Sequence, residues 1–583
     1  MASQEVNTVM EPASKPGDPT DSDKAVHIEP EIDQPYLKDL DLIALNRDAN
    51  AATEREHTMS LWQGLKLYPK AIGWSLLLST AIIMEGYDTA LLSSLFAFDT
   101  FNVRYGTLQP DGSYVISAPW RSGLTNGEAC GEILGLWACG MIQARFGYKK
   151  TLMGALVLIV GAIFITFFAQ NLPMLLAGEI VCGLAWGVFP ALATAYASDI
   201  CPVVLRPYLT TYVNLCWVFG ELMATGVLSR MLNRTDQWSY RIPFAIQWIW
   251  PIPILIGACF APESPYWLVQ KDRISEARDA LIRLTNPADT LFDMDNAIAL
   301  IRLTDKIEKQ HNAETRYIDI LKGANLRRTE ISVCAWLIQQ FGGSGLMTYS
   351  TVFFEQAGLS DTYAFDMSMA MYALGALGTI ASWWMMTYIG RRTLYLYGCF
   401  SSLILMIIIG ACGFTSTDNS SASWAIGSLL IIFTFVYDST IGPVCYSLVA
   451  EIPSTRLKAK TMVVARSLYC AAAITVNILS NYQMTSTAWD WGAKTGLFWA
   501  GTGVICCVWT YFRLPEPNGR TYGELNVLFE QGVSARKFKS THVEVVAAND
   551  LIIDGLVVET SQPVPQVDLS QKDKVVSESI AQI

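Results

Sequence analysis

The sequence predicts an all-α membrane protein of twelve transmembrane helices in two six-helix halves. Composition is the first of three observations behind this: hydrophobic residues make up 52% of the 583-residue chain and charged residues only 16%, against about 25% charged in an average soluble protein. The second is that apolar stretches of about 20 residues recur, each long enough to cross ~30 Å of hydrocarbon as a helix. The third is that short polar motifs return at similar spacings in the two parts of the chain.

Residues 1–70 hold thirteen acids and seven bases among many Pro, Ser and Thr, with no basic n-region and no early apolar run. They read as a disordered cytosolic tail and not as a cleaved signal. Apolar stretches follow at 71–97, 122–144, 151–169, 172–196, 207–229 and 242–260, forming the first half (71–260). The polar interval 261–328 reads as a cytosolic loop of short amphipathic helices (SEARDALIRL, DKIEKQ). The second half (329–513) has stretches at 329–354, 365–387, 393–413, 425–450, 459–481 and 492–513. Residues 514–583, with ten acids and six bases, read as a second cytosolic tail. Most of the net charge of −11 therefore sits in the tails. No basic face is left to meet nucleic acid, and the acidity says nothing about a substrate.

Basic residues assign the sides. Arg145, Lys149 and Lys150 follow stretch two, Arg391 and Arg392 follow stretch eight, and Arg456, Lys458 and Lys460 precede stretch eleven. The loops EQAGLSDTYAFD and TSTDNSS lack Lys and Arg, so both termini and the central loop are expected inside. The sequons at Asn233 and Asn419 then fall outside, as glycosylation sites require. The cysteines lie mostly in apolar runs without paired spacing, so no disulfide framework is expected. No nucleophile–base set, metal cluster or phosphate loop appears, which points to no enzyme, no metal and no cofactor.

The repeat supports two parallel halves. Phe146-Gly147-Tyr148-Lys149 is echoed by Ile389-Gly390-Arg391-Arg392 at an offset of 243. Asp199-x6-Arg206 returns as Glu451-x6-Lys458 at 252, and Pro262-Glu263 as Pro515-Glu516 at 253. Transporters built from such repeats bind substrate near mid-membrane, between the halves.

Gly86-Tyr87-Asp88-Thr89-Ala90, PESPYWLV (262–269), QQFGGSGLMTYS (339–350), GPVCYSLVAEIPSTRLKAKT (442–461) and LPEPNGRTYGEL (514–525) resemble the sugar-porter family of the major facilitator superfamily. Within it, MEGYD (84–88) and YSTVFFEQAGL (349–359) look like the fungal α-glucoside:proton symporters, the maltose-permease branch. The resemblance implies an alternating-access carrier of the fungal plasma membrane. It also implies a cytosolic gate built from Arg145, Lys149, Arg206, Glu263, Arg391, Arg392, Glu451 and Lys458. Departures occur in that gate: Ala144 and Thr387 stand where the family's loop has Asp, and Tyr266 replaces the Arg of PESPR.

Carboxyls inside a span are costly and normally face a cavity or bundle interior. Glu85 and Asp88 stand at i, i+3 and are expected to share a face, as are Glu128 and Glu132 at i, i+4. Gly127, Gly131 and Gly135 form a small-residue stripe suited to close helix packing. Burial disfavours the ionised form, and a second carboxylate disfavours it further, so such groups can load and release protons. All four histidines lie outside the spans, which leaves carboxylates for this work. The resemblance names Glu85, Asp88 and Glu132 as the proton-coupling acids. Glu179 stands where many sugar porters carry an Arg that pairs with the span-one Asp. Arg466 has two open readings, pairing with Asp438 or steadying the cytosolic end.

A sugar site needs amides and hydroxyls that both donate and accept, plus aromatics. By resemblance Gln339, Gln340, Tyr349, Asn214, Glu221 and Tyr446 supply it. Gly345 and Tyr446 replace an Asn and a Trp of the hexose carriers, which suggests a roomier pocket and a disaccharide. The reading is proton-coupled uptake of an α-glucoside by a monomer whose partners are sugar, protons and lipid. Its rivals are a hexose carrier, a proton-antiport exporter of a secondary metabolite, and a non-transporting sugar sensor.

Overall fold

The computed structural model describes residues 58–541 except 111, 203, 287–293, 313–316, 416–419, 455–456, 486, 519 and 521. Asn419, Arg456 and most of both tails lie outside the described residues. The first half comprises α1 (Pro69–Leu95), α2 (Ala118–Phe146), α3 (Tyr148–Phe167), α4 (Leu172–Ile200), α5 (Arg206–Met231) and α6 (Trp238–Phe260). The second comprises α7 (Gly323–Gln339), α8 (Asp361–Tyr388), α9 (Arg391–Cys412), α10 (Ser421–Glu451), α11 (Lys458–Met484) and α12 (Gly492–Arg513). Among the described residues, ten helices are long and apolar enough to cross a membrane, in every case but α2 and α7. Charge dilutes α2 through Arg121, Glu128, Glu132 and Arg145. The helix α7 stops early, at a π turn over Gln340–Ser344 where Gly343 adopts φ 100°, and continues as Gly345–Thr348 and Ser350–Gln356. A positive φ there is open to glycine at little cost.

Residues 58–70, expected to belong to a disordered tail, contain the helix Leu61–Leu67, started by a Ser60/Gln63 capping box. A two-stranded hairpin absent from the sequence reading pairs Thr107 with Val115 and Leu108 with Tyr114 between α1 and α2. The central segment forms Pro265–Gln270, Ile274–Leu284 and Met294–Asn312, the short helices its periodicity predicts. Apolar residues of these helices, Trp267, Leu268, Leu281 and Ile298, join the first half's core.

The halves repeat each other. In the first, α1 packs on α5, α2 on α4 and α3 on α6; in the second, α7 packs on α11, α8 on α10 and α9 on α12. Each pair of the second half is the equivalent of a first-half pair, six helices further along. The repeat extends to a cap. Glu263 accepts from the Tyr148 and Lys149 backbone N–H groups at 2.9 and 3.2 Å, at the start of α3. Glu516 does the same at the start of α9, accepting from Arg391 and Arg392 at 2.8 and 3.1 Å. A carboxylate suits both the unsatisfied N–H groups and the positive end of a helix dipole. Burial pushes the Glu263 carboxyl above its ordinary range against the pull of its backbone N–H bonds.

The glycine stripe does what its spacing predicts. A Cβ on Gly131 would collide with the Ile180 carbonyl, and one on Gly135 with that of Leu184, both on α4. Reciprocally, Gly183 and Gly187 of α4 lie against the Glu128 and Glu132 carbonyls. The two halves meet through α2 on α11 and α5 on α8. At the end of the bundle formed by the C-terminus of α1, one apolar cluster joins both halves, with Leu91, Leu95 and Phe98 against Phe353, Phe354 and Phe365. The buried residues of the other two clusters do not span both halves, although Tyr446 of the second half packs against the first half's cluster.

Candidate functional site: a cavity between the halves

Between the halves lies a cavity of about 1010 Å³, counting the part open to solvent. One wall is the first half, with Glu85 and Thr89 of α1, Glu128 and Glu132 of α2, and Asn214 and Glu221 of α5. The facing wall carries Gln339 and Gln340 at the α7 break, Tyr372 of α8, Asp438 and Tyr446 of α10, and Tyr469 and Asn477 of α11.

A salt bridge crosses this space. The Arg466 guanidinium of α11 lies 2.8 Å from Glu132 Oε1 and 3.5 Å from Glu85 Oε1. All three side chains are buried, and the guanidinium sits 4.4 Å from the centre of the Tyr469 ring and 5.0 Å from that of Trp336. Neither partner open to Arg466 in the sequence, Asp438 or the cytosolic end, is the one it takes. Asp438 instead accepts from Asn214 Nδ2 at 3.2 Å, and the same amide donates to Thr379 Oγ1 at 3.1 Å.

The three predicted proton-coupling acids do not share one pocket. Glu85 and Glu132 meet at Arg466. Asp88 is turned away from the cavity, where Oδ1 accepts from Gln247 Nε2 at 2.6 Å and Oδ2 from Trp186 Nε1 at 3.2 Å. A shared face for Glu85 and Asp88 was too coarse an expectation. Three residues advance a helix by about 300°, leaving side chains about 60° apart. In a crowded bundle that angle separates a cavity wall from a helix–helix seam. Glu128 does line the cavity with Glu132 and accepts from Thr89 Oγ1 at 3.1 Å. Sequence reasoning missed Gln247, whose signal was an amide alone in the apolar run of α6.

The amides are placed by the helix break. Gln339 Nε2 donates to the Gly442 carbonyl at 3.0 Å, and Gln340 lines the cavity beside Ser344. Tyr446 lines it too, edge-on to Trp336 at 5.0 Å. Tyr349 stands behind the wall, its hydroxyl accepting from Asn481 Nδ2 at 2.9 Å. One expectation needs correction. Gly345 adds no room to the cavity, because a side chain there would meet the Ser480 and Val476 side chains of α11. Trp336 is buried beneath Arg466, and Trp383 donates to Thr211 Oγ1 at 2.8 Å, while Trp384, Trp489 and Trp491 are exposed.

The expected gate residues occupy one end of each half. Arg391 lies 3.3 Å from Glu451, and Arg392 donates to the Tyr511 carbonyl at 2.8 Å. Lys149 donates through Nζ to the Cys259 carbonyl. Arg206 donates to the Cys201 carbonyl at 3.2 Å, while Arg206 and Lys458 both face Asp199. Arg145 is exposed with its guanidinium over Phe146. Asn233 lies in the exposed turn after α5.

Comparison with known proteins agrees with this architecture. The chain is 42% identical over 536 residues to the general alpha-glucoside permease of Saccharomyces cerevisiae, covering 90% of this chain and 86% of that one. It is 43% identical over 508 residues to the maltose permease MAL31 of the same yeast, covering 86% and 82%. Among solved structures, the proton:xylose symporter XylE superposes with a TM-score of 0.64 at 20% identity, covering 79% of this chain and 99% of that one. This likeness identifies the fold as that of the major facilitator superfamily. The model of the family described as sugar (and other) transporter matches residues 74–529. With its fold, its repeat and its relatives in agreement, the chain belongs to the sugar transporter family.

Proposed function

We propose that the chain carries an α-glucoside together with a proton into the cell across the fungal plasma membrane. In this reading α1 to α12 all cross the membrane, both termini are cytosolic, and the protein works as a monomer. The observation that carries it is the salt bridge across the cavity: Arg466 of the second half holds Glu132 and Glu85 of the first, in the space lined by Gln339, Gln340 and Asn214. Buried opposite charges attract strongly in a low-dielectric setting. Protonating either acid weakens the bridge and frees the halves to move. Proton loading thereby changes the relative stability of two conformations, which is the only way a ligand can drive such a change.

The sugar fits the remaining chemistry. Gln339, Gln340, Asn214 and Tyr446 offer donors, acceptors and a ring face, and Glu221 adds an acceptor for paired hydroxyls. Tyr349 acts from behind, holding Asn481. The relatives are named for α-glucosides and maltose. The test is uptake of radiolabelled maltose, sucrose and glucose in a transporter-null yeast, with and without a protonophore. Uphill maltose uptake abolished by the protonophore is expected; glucose taken up with maltose ignored overturns the substrate assignment. In a Glu85→Gln/Asp88→Asn double variant, accumulation falls to equilibration while downhill entry persists. Normal accumulation by that variant overturns the coupling assignment.

A further inference from the structure

Glu179 of α4 is fully buried, and neither of its carboxyl oxygens receives a bond from an N–H or hydroxyl group. What it faces is the carboxyl of Asp88, within hydrogen-bonding reach. The other ionisable groups around it are Glu128 on α2 and Cys182 on its own helix, and no cation is among them. The buried guanidinium of Arg466 is engaged by Glu132 and Glu85. Two carboxylates facing each other in a dry seam cannot both ionise, so the pair holds a proton.

The donors around the pair decide where that proton sits. Asp88 already accepts from an amide and an indole, one on each oxygen. Donors of that kind stabilise a carboxylate more than a carboxylic acid. Glu179 has no donor at all, and an ionised carboxyl without one is the costliest group to bury. We propose that Glu179 stays protonated and donates its hydroxyl to the Asp88 carboxylate. It is a positioning residue: it holds the Asp88 carboxylate among three donors until Asp88 takes up the transported proton. The proposal rests on the coupling role given to Asp88 above.

Full-length protein in liposomes gives a direct test by infrared spectroscopy. The wild-type spectrum minus that of Glu179→Gln should show a protonated-carboxyl C=O band that persists from about pH 5 to about pH 8. Absence of the band, or its loss on raising the pH across that range, overturns the proposal. Transport supplies the second readout. Glutamine can donate to Asp88 as the acid does, so Glu179→Gln should keep maltose accumulation within about threefold of wild type, whereas Glu179→Leu should lose it. Loss of accumulation in Glu179→Gln, at wild-type protein level, overturns the proposal, because it means that Glu179 must ionise. Full accumulation by Asp88→Asn sinks the coupling reading instead, and leaves the infrared band to judge Glu179 alone.

Discussion

At the residue scale, Arg466 shows how one side chain joins two halves. Its positive charge is buried between two carboxylates and two aromatic rings. Removing one member of a buried ion pair strands the others, at a cost of about 3–5 kcal/mol. Arg466→Met is therefore expected to lower unfolding stability in detergent by about that amount. Adding Glu132→Gln should restore part of the loss, since one uncompensated charge is then gone. Equal stability of the single and double variants would show that the pair does not couple. The partners of Arg466 were not legible in the sequence, because 334 positions separate it from Glu132 and no local pattern links residues that far apart. The glutamines at 339 and 340 were legible, because a polar pair in an apolar stretch has few reasons to be there. The separate directions of Glu85 and Asp88 depend on a rotation about the helix axis that spacing alone leaves loose.

At the scale of elements, spacing was more informative. Three glycines four residues apart predicted a close helix contact, and α2 meets α4 there with glycines facing backbone on both sides. Without a strong hydrophobic drive between helices in lipid, such packing carries much of their association. Gly131→Val is expected to abolish properly folded carrier at the cell surface, because the new side chain would enter α4 at the Ile180 carbonyl. Gly140, on the same helix, has open space where its side chain would be. Gly140→Ala should leave transport unchanged and add about 0.5–1 kcal/mol of stability, the usual gain on replacing a mid-helix glycine. Surface level and thermal stability, measured side by side, check the contrast. The caps were legible in part. The recurrence of Pro-Glu after each half marked Glu263 and Glu516 as equivalent, but nothing in the sequence said that their carboxylates would close the first turns of α3 and α9. That depends on how the chain returns across each half.

At the scale of the whole molecule, the offsets of 243, 252 and 253 between motifs forecast two halves of like architecture, and each helix pairing of the first half recurs six helices on in the second. Their relative tilt was out of reach, since one sequence must serve every state of the cycle. In the structure the two halves are joined by the shared apolar cluster at the end bearing the C-terminus of α1. A hydroxyl chain crosses there too, Ser94 to Thr351 at 3.3 Å and Thr351 to Ser368 at 3.0 Å. With α1 running outward, as the proposed topology has it, this is the outer gate in its closed state, and uptake requires these contacts to break. Cysteines at Ser94 and Thr351, with the exposed Cys130 and Cys259 replaced by Ser, place two thiols across that seam. Oxidation is expected to cut maltose uptake by more than about tenfold and a reductant to restore it. Binding of maltose to inside-out vesicles should survive oxidation, since only one gate is pinned. Uptake at the full rate by a fully cross-linked sample would mean that this end stays shut throughout transport, and that sugar enters by another route.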